Sequence, residues 1–270
     1  MPLAYWTHDL SPFLIHFSGN FGIRWYGLAY LAGFLGAGWL LRKYYRAGRS
    51  TVEPAAIFDL MTALVAGVIV GGRLGYFLLY KPGALFSDPL IFFRVWEGGM
   101  ASHGGMAGVA VAVWWFTRGR RESMLQVSDL VLTAVPVGLF CGRVANFING
   151  ELWGKVATVP WAVIFANTGG GDEPRHPSQL YEAATEGLLL FAYLQWRFWK
   201  TDAPRQPGRL TGEFLVGYAL VRAFCEVFRE PDEGISLILG LSRGTFYSVF
   251  LVVAGVALIA IASRGSQRKA

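Results

Sequence analysis

The charges of this chain are clustered, and the stretches between clusters stay apolar for about twenty residues, the length a helix needs to cross bilayer hydrocarbon. Seven such runs occupy residues 22–41, 56–80, 98–117, 126–147, 179–199, 211–229 and 245–263. Only 16% of the 270 residues are charged and 54% are hydrophobic, where a soluble domain carries about a quarter charged residues. The predicted fold class is all-α: a polytopic membrane protein with seven transmembrane helices. The opening stretch MPLAYWTHDLSPF has no basic region leading into an apolar core and cleavage site, so a cleaved signal peptide is not expected. No domain boundary is evident, and residues 1–270 are expected to form a single integral membrane domain.

A net charge of +6 suggests nucleic acid only until its distribution is considered. With alternating helices, segments 42–55, 118–125, 197–210 and 264–270 share one side, and they hold 14 of the 24 basic residues. Basic residues in short loops mark the cytoplasmic side, which puts the N-terminus outside and the C-terminus in the cytoplasm. Tryptophans near the ends of the runs, among them Trp25, Trp96, Trp153, Trp161, Trp39, Trp115, Trp196 and Trp199, fit interfacial anchoring. The longest outside insertion, 148–178, contains NTGGGDEPRHPSQ, whose glycines and prolines mark an irregular external cap. Cys141 and Cys225 both fall inside apolar runs; a disulfide is one reading, two small residues buried in helix packing the better one. No cluster has metal-ligand spacing and no phosphate-binding loop is present, so neither metal nor cofactor is expected.

Against this apolar background the sequence CGRVANFINGELWG places Arg143 and Asn146 on one helix face. Asn149, Glu151 and Gly154 continue into the external loop. The run 211–229 carries Tyr218, Arg222, Glu226 and Arg229, which fall in one narrow stripe at about 100° per residue. A central arginine facing lipid costs about 2.5–3.5 kcal/mol even on insertion scales. The stripe therefore faces the bundle interior or a wet cavity, and the expected fold has its seven helices around a central cavity open to the outer side. One reading is an interior ion-pair network in which Glu226 holds Arg222. The other is a site: arginines converging from two helices suit an anion, and guanidinium forks suit phosphate.

Three further segments border the outer ends. In EGGMASHGGMAG, 97–108, the glycines Gly98, Gly99, Gly104 and Gly105 allow close helix approach, and His103 sits where a helix N-terminus favours the neutral, proton-accepting ring. Tyr26 opens the first run and fits an aromatic belt or a site. In PRHPSQLYE, helix capping accounts for Ser178 and Glu182, leaving His176 as a cavity residue. An echo links GRLGYF, 72–77, to GRVANF, 142–147, and chance or shared packing explains it better than a transporter repeat.

SHGGMAG, GRVANFINGELWG, RHPSQLYE and GYALVRAFCEVFREPD, in this order, closely resemble the prolipoprotein diacylglyceryl transferase family of bacterial lipoprotein-modifying enzymes. The resemblance runs from about Trp25 to the last apolar run. It implies transfer of the diacylglyceryl group of phosphatidylglycerol to the thiol of a lipobox cysteine in preprolipoproteins, with glycerol phosphate released. It further implies the bacterial cytoplasmic (inner) membrane, an active site toward the periplasm, and membrane lipids rather than nucleic acid as surroundings. By motif, Arg143 and Arg222 would hold the headgroup and stabilise the departing phosphate, while His103 and Tyr26 match positions important for activity. Asn146, Glu151, Gly154, His176, Tyr218 and Glu226 match positions that shape the site; with Arg229, Gly104 and Gly105 they complete the expected substrate-binding set.

The chemistry is coherent with those residues. Only a thiolate attacks, so a thiol of ordinary pKa needs a base or a positive field. His103 is the candidate base, with the arginine field alone as the alternative. A transporter or channel for an anionic or lipid substrate, or a scaffold with structural ion pairs, are the competing readings. Against the transporter, no inverted repeat is evident and the unusual polarity stays in the outer half of the runs.

Overall fold

The computed structural model describes residues 5–19, 21–94, 98–231 and 242–267, and these are mostly helical. In chain order the elements are β1 (Trp6–Thr7), β2 (Phe13–Ser18), β3 (Phe21–Arg24), α1 (Trp25–Arg46), α2 (Pro54–Tyr80), α3 (Pro82–Ser87), α4 (Ser102–Thr117), α5 (Met124–Asn149), β4 (Val163–Ile164), β5 (Pro174–Arg175), α6 (Ser178–Glu182), α7 (Leu190–Lys200), α8 (Arg209–Glu226) and α9 (Arg243–Gln267). A π-helical stretch, Ala183–Leu189, joins α6 to α7 without a break. Trp96, Glu97, Arg268 and Lys269, assigned above to a helix end and a basic tail, lie outside the described residues.

Among the described residues, three helical segments are long and apolar enough to cross a membrane: Pro54–Tyr80, Met124–Asn149 and Gly244–Gly265. The first and last expose many of their large apolar side chains, including Phe58, Leu78 and Leu79 on α2 and Phe250, Val253 and Ile261 on α9. Contiguous apolar surface on this scale drives association in water; hydrocarbon is the solvent that suits it. The chain is a membrane protein. Two of the expected runs are trimmed. The helix predicted from residue 98 begins at Ser102 because Gly98 and Gly99 both take positive φ, 79° and 84°. The run drawn to residue 229 stops at Glu226, so Arg229 leaves the helical stripe and sits in a β-bridge with Gly154.

The contacts divide the chain into two compact units, Met1–Ala37 with Asp129–Ala270, and Gly38–Ser128. The second unit is built on the α2–α4 contact. Gly67, Gly71 and Gly75 recur every four residues on α2 and meet Gly104 and Gly108 on α4. A Cβ on Gly75 would stand 2.7 Å from Gly104 Cα, and one on Gly67 would stand 2.9 Å from the Gly108 carbonyl carbon. Small residues on both faces let the backbones touch, which is how helices gain dispersion energy in lipid. Only part of the glycine set expected for this role fills it. Gly104 does; Gly98 and Gly99 shape the entry to α4 instead, and the nearest atom to a Cβ on Gly105 is Val68 O at 3.9 Å.

In the first unit, α8 and α9 touch at Gly212 and Gly255, where a Cβ on either would stand within 2.7 Å of the other's carbonyl oxygen. α7 and α8 share a core of Leu190, Leu194 and Phe214, covered by Leu132, Val135, Leu139, Leu215 and Tyr218. Asp129, on α5, is buried and fixes the start of α8: its carboxylate accepts from Gly208 N at 2.8 Å, Thr211 N at 2.7 Å and Thr211 Oγ1 at 2.6 Å. That satisfies amides left orphaned at a helix N-terminus. The small sheet β1-β4-β5 and the β2–β3 hairpin add strands to the all-helical expectation. β1 runs parallel to β4, across more than 150 residues of chain, so no local pattern announces it.

The adjacent glycines of α4 give a sharp test of the packing. Gly104→Ala should lower thermal stability in detergent by about 1–3 kcal/mol, the usual cost of overpacking. Gly105→Ala should be neutral or stabilising by up to about 1 kcal/mol through helix propensity. Equal melting temperatures for the two variants would rule this contact out.

Candidate active site

The polar residues of α5 and α8 meet in the first unit, and they meet across two glutamates. Arg143 donates from Nε and Nη2 to Glu186 Oε2 at 3.1 and 3.0 Å, and its Nη1 lies 3.0 Å from Glu182 Oε2. Arg222 donates from Nη1 to Glu182 Oε1 at 2.6 Å and from Nη2 to Glu226 Oε1. Arg229 Nη1 is 3.5 Å from Glu182 Oε1. The side chains of Glu182 and Glu186 are fully buried, while Arg143 and Arg222 keep 16% and 13% of theirs accessible. Tyr218 interacts electrostatically with Glu186, Arg222, Arg143 and Glu182 and stacks on Phe214 with ring centroids 5.8 Å apart.

Two points depart from the sequence expectation. Glu182 does not serve the helix N-terminus. It lies one turn in, at the end of α6, and bridges arginines from α5 and α8. Ser178 is likewise no cap, since its hydroxyl donates to Leu152 O at 3.0 Å. The second departure concerns charge. Arg143, Arg222 and Arg229 face Glu182, Glu186 and Glu226, three against three, so the centre is formally neutral where an open positive field was expected. Of the two ionic readings of the sequence, the pairing of Arg222 with Glu226 is present, extended to Glu182 and Glu186.

Not every pair contact is a hydrogen bond. Glu182 Oε2 and Glu186 Oε1 lie within ion-pair distance of Arg143 and Arg222 but off the donor axes. Each buried carboxylate therefore has one oxygen held by charge alone. The two carboxylates reach this position because α6 runs directly into the π-helical stretch that carries Glu186, a distortion frequent at functional sites. Gly187 keeps that stretch close to α5, since a Cβ there would stand 2.7 Å from Phe140 Cβ.

The NGELWG segment folds as a brace beside this centre. Asn146 is buried, and its Nδ2 donates to Glu151 Oε1 at 2.7 Å, joined by Asn149 Nδ2 at 3.4 Å. Gln179 Nε2 donates to Glu151 O at 2.6 Å. Leu152 takes φ of 59°, which costs a non-glycine residue about 1–2 kcal/mol, and the Ser178 and Gln179 bonds on either side hold it there. Gly154 has no room for a side chain: a Cβ would stand 2.6 Å from both His176 O and Phe228 O. Its N–H donates to His176 O at 2.9 Å. His176 itself lies among aromatic rings, 5.2 Å from Phe228 and 5.7 Å from Tyr181 between centroids. Trp161 Nε1 donates to Tyr181 Oη at 2.6 Å, which leaves the tyrosine hydroxyl to donate to His176 Nδ1 at 3.0 Å.

The remaining candidates lie on other elements. Tyr26 is the second residue of α1, half-buried, with its ring 5.3 Å from Tyr30. His103 belongs to the second unit, exposed, as the second residue of α4. Gly104 is committed to the α2 contact. Cys141 and Cys225 are free, and the Cys225 Sγ lies 3.2 Å from Thr185 Oγ1. Among the described residues no group of three or more His, Cys, Asp or Glu is placed to hold a metal. Glu182 and Glu186 are the site residues that sequence reasoning missed. Their signal was present: two carboxylates four residues apart inside an apolar run, with no lysine or arginine within one turn of either to pair with.

Long lipid-facing helices and an ionic centre shared by α5, α6 and α8 define a helical membrane protein with an internal polar site. The family model described as prolipoprotein diacylglyceryl transferase matches residues 12–261. Relatives named phosphatidylglycerol-prolipoprotein diacylglyceryl transferase include those of Zymomonas mobilis, 48% identical over 88% of this chain and 82% of the relative, and Pseudoalteromonas atlantica, 44% identical over 98% and 94%. A third, from Polaromonas naphthalenivorans, is 46% identical over 97% and 98%. The chain belongs to the prolipoprotein diacylglyceryl transferase family, and it is an enzyme; the transporter reading is set aside.

Two outcomes test the geometry. Glu186→Ala strips Arg143 of its two-bond partner and should destabilise the protein by about 3–5 kcal/mol, the usual cost of leaving one member of a buried pair alone, with Glu186→Gln losing less; unchanged denaturant midpoints for both would refute the network. His176 titrates below its ordinary 6.5, first because burial disfavours its charged form and second because Lys155 is near. On acidification through 6.5 the unfolded chain therefore binds protons that the folded chain refuses, and stability falls. Melting temperatures should decline below that pH in wild type and decline less in His176→Gln.

Proposed function

We propose that the chain transfers the diacylglyceryl group of phosphatidylglycerol to the thiol of the lipobox cysteine of preprolipoproteins, forming a thioether and releasing glycerol phosphate, the first step of lipoprotein maturation. The observation that carries this reading is the pair of arginines on separate helices, Arg143 and Arg222, that share Glu182 and keep 16% and 13% of their side chains accessible. The names of the relatives supply the substrates. The hydrogen bonds of Arg143 to Glu186 use two of the five N–H groups a guanidinium carries, which leaves donors for a phosphodiester.

The setting belongs to the same proposal. Seven transmembrane helices surround a cavity open to the outer side of the bacterial cytoplasmic membrane, with the N-terminus outside, the C-terminus in the cytoplasm and residues 148–178 as the cap. The basic residues of segments 42–55, 118–125, 197–210 and 264–270 support that orientation.

In the reaction, the lipobox sulfur attacks the glycerol carbon that bears the phosphate. The S–C bond forms as the C–O bond breaks, and the electron pair leaves with the phosphate oxygen. His103 accepts the thiol proton. Arg143 and Arg222 neutralise the departing charge, and Glu182 and Glu186 keep their planes fixed so that little reorganisation is needed at that moment. Asn146, Glu151, Gly154 and His176 shape the wall of the site; Tyr26, Tyr218, Glu226 and Arg229 complete it.

Purified protein in detergent, given phosphatidylglycerol and a lipobox peptide, should yield a peptide heavier by one diacylglyceryl group. Removing one preorganised donor typically costs about 10²–10³ in kcat, and Arg143→Lys should fall in that range. His103→Gln should lose activity and lose the acidic limb of the pH profile. Wild-type protein that makes no product would overturn the reading; a His103→Gln enzyme with the wild-type rate and profile would remove only the base.

A further inference from the structure

The second GR pair of the sequence, Gly72–Arg73, has no part in the chemistry above, yet Arg73 is the largest of the fully buried side chains, 1% exposed. Its guanidinium is met by five main-chain carbonyls. Nε donates to Phe92 O at 3.0 Å, Nη1 to Gly98 O and to Gly99 O at 3.2 Å, and Nη2 to Ile91 O and to Arg94 O at 3.3 Å. The cation also lies 4.8 Å from the Phe77 ring centroid. A guanidinium has five N–H groups in a rigid fork, and here all five acceptors are peptide oxygens.

The targets of that fork are specific. Two of the carbonyls belong to Gly98 and Gly99, the consecutive left-handed residues that turn the chain into α4. Gly72 O, beside Arg73, accepts from Ala101 N at 2.9 Å, and Ala101 is the residue that caps α4. Gly99 has no freedom to move toward α2, since a Cβ there would stand 2.7 Å from the Tyr76 ring. Two residues after Ala101 comes His103. Gly104, the next, is locked against Gly71 and Gly75. The backbone on both sides of His103 is therefore anchored to the same two turns of α2.

A buried cation is a costly way to secure a loop, because its desolvation must be offset by every donor it carries. A neutral side chain would stabilise a turn as well. What a five-donor fork adds is a fixed spatial relation between two stretches of main chain, 91–94 and 98–99. Lysine, with three donors on one nitrogen, cannot reproduce it. We infer that Arg73 is a positioning residue for His103: it touches no substrate, and it sets the entry angle of α4 so that the imidazole is presented in one orientation. This rests on the reading that His103 acts in the transfer.

The test separates the two claims. His103 accessibility is measured first, by its rate of modification with diethylpyrocarbonate, resolved by mass spectrometry, in wild type, Arg73→Lys and Arg73→Gln. The rate at His103 should change at least threefold in both variants while that at His176 stays constant. Kinetics follow. Arg73→Lys should lower kcat about tenfold with KM for phosphatidylglycerol within twofold of wild type, and in a His103→Gln background the same change should cost less than twofold. An unchanged His103 modification rate in the variants, or an equal activity loss in both backgrounds, overturns the inference. Should Arg73→Gln fail to fold, Arg73→Lys carries both measurements. Wild-type protein without transferase activity would defeat the functional reading and leave the modification result to judge Arg73 by itself.

Discussion

A charge that cannot reach water must find its partner inside the protein, and that rule organises the polar interior of this chain. Three arginines and three glutamates from α5, α6, the π-helical stretch and the end of α8 settle into one neutral centre. Neutrality changes how an anion is recognised there. A bare pair of arginines would attract any anion and would carry a heavy desolvation penalty while waiting. On the function proposed above, a balanced centre would wait at lower cost and would bind a phosphodiester through the hydrogen-bond donors left over on the guanidiniums. Selectivity then comes from geometry more than from net charge.

The same residue type solves the burial problem in a second way at Arg73, and the contrast explains why related GR motifs serve different ends. Peptide carbonyls hold Arg73 on every donor, so nothing can displace them without unfolding a turn. Carboxylates hold Arg143 and Arg222, and one anion can share or exchange a guanidinium with another. A carbonyl-bound arginine is a rivet; a carboxylate-bound arginine is a receptor held ready. GRLGYF and GRVANF are alike in letters because both place an arginine near the end of a glycine-containing helix, and they differ in what the partner segment offers.

Much of this was legible from hydropathy alone. Runs such as 56–80 and 126–147 lie within two residues of α2 and α5 at each end, because lipid removes most alternatives to a helix for an apolar run of that length. The inward placement of the arginines and Asn146 was legible because polarity there is too costly to face lipid. Glu182 was not. A carboxylate in the first turn of a helix already has a local use, and that use concealed its true partners on α5 and α8. The β1–β4 pairing, the positive φ of Leu152 and the π-helical stretch were hidden for a related reason: each is imposed by distant packing and leaves no periodic trace.

Strain and close approach concentrate around the NGELWG segment, and the reason follows from where it stands. α5 ends at Asn149, so its last carbonyls and the loop amides after it need partners outside the helix. Leu152 accepts a left-handed backbone, Gly154 gives up its side chain to let 176 and 228 close in, and Asn146 turns to Glu151. Those choices seal the end of the helix with side chains that α6 also uses, through Ser178 and Gln179. Because α6 carries Glu182, the seal and the ionic centre are one mechanical object. A disturbance in the loop after α5 therefore moves the arginine partner without touching an arginine, which makes the loop a determinant of the ionic centre's geometry rather than a lid laid over it.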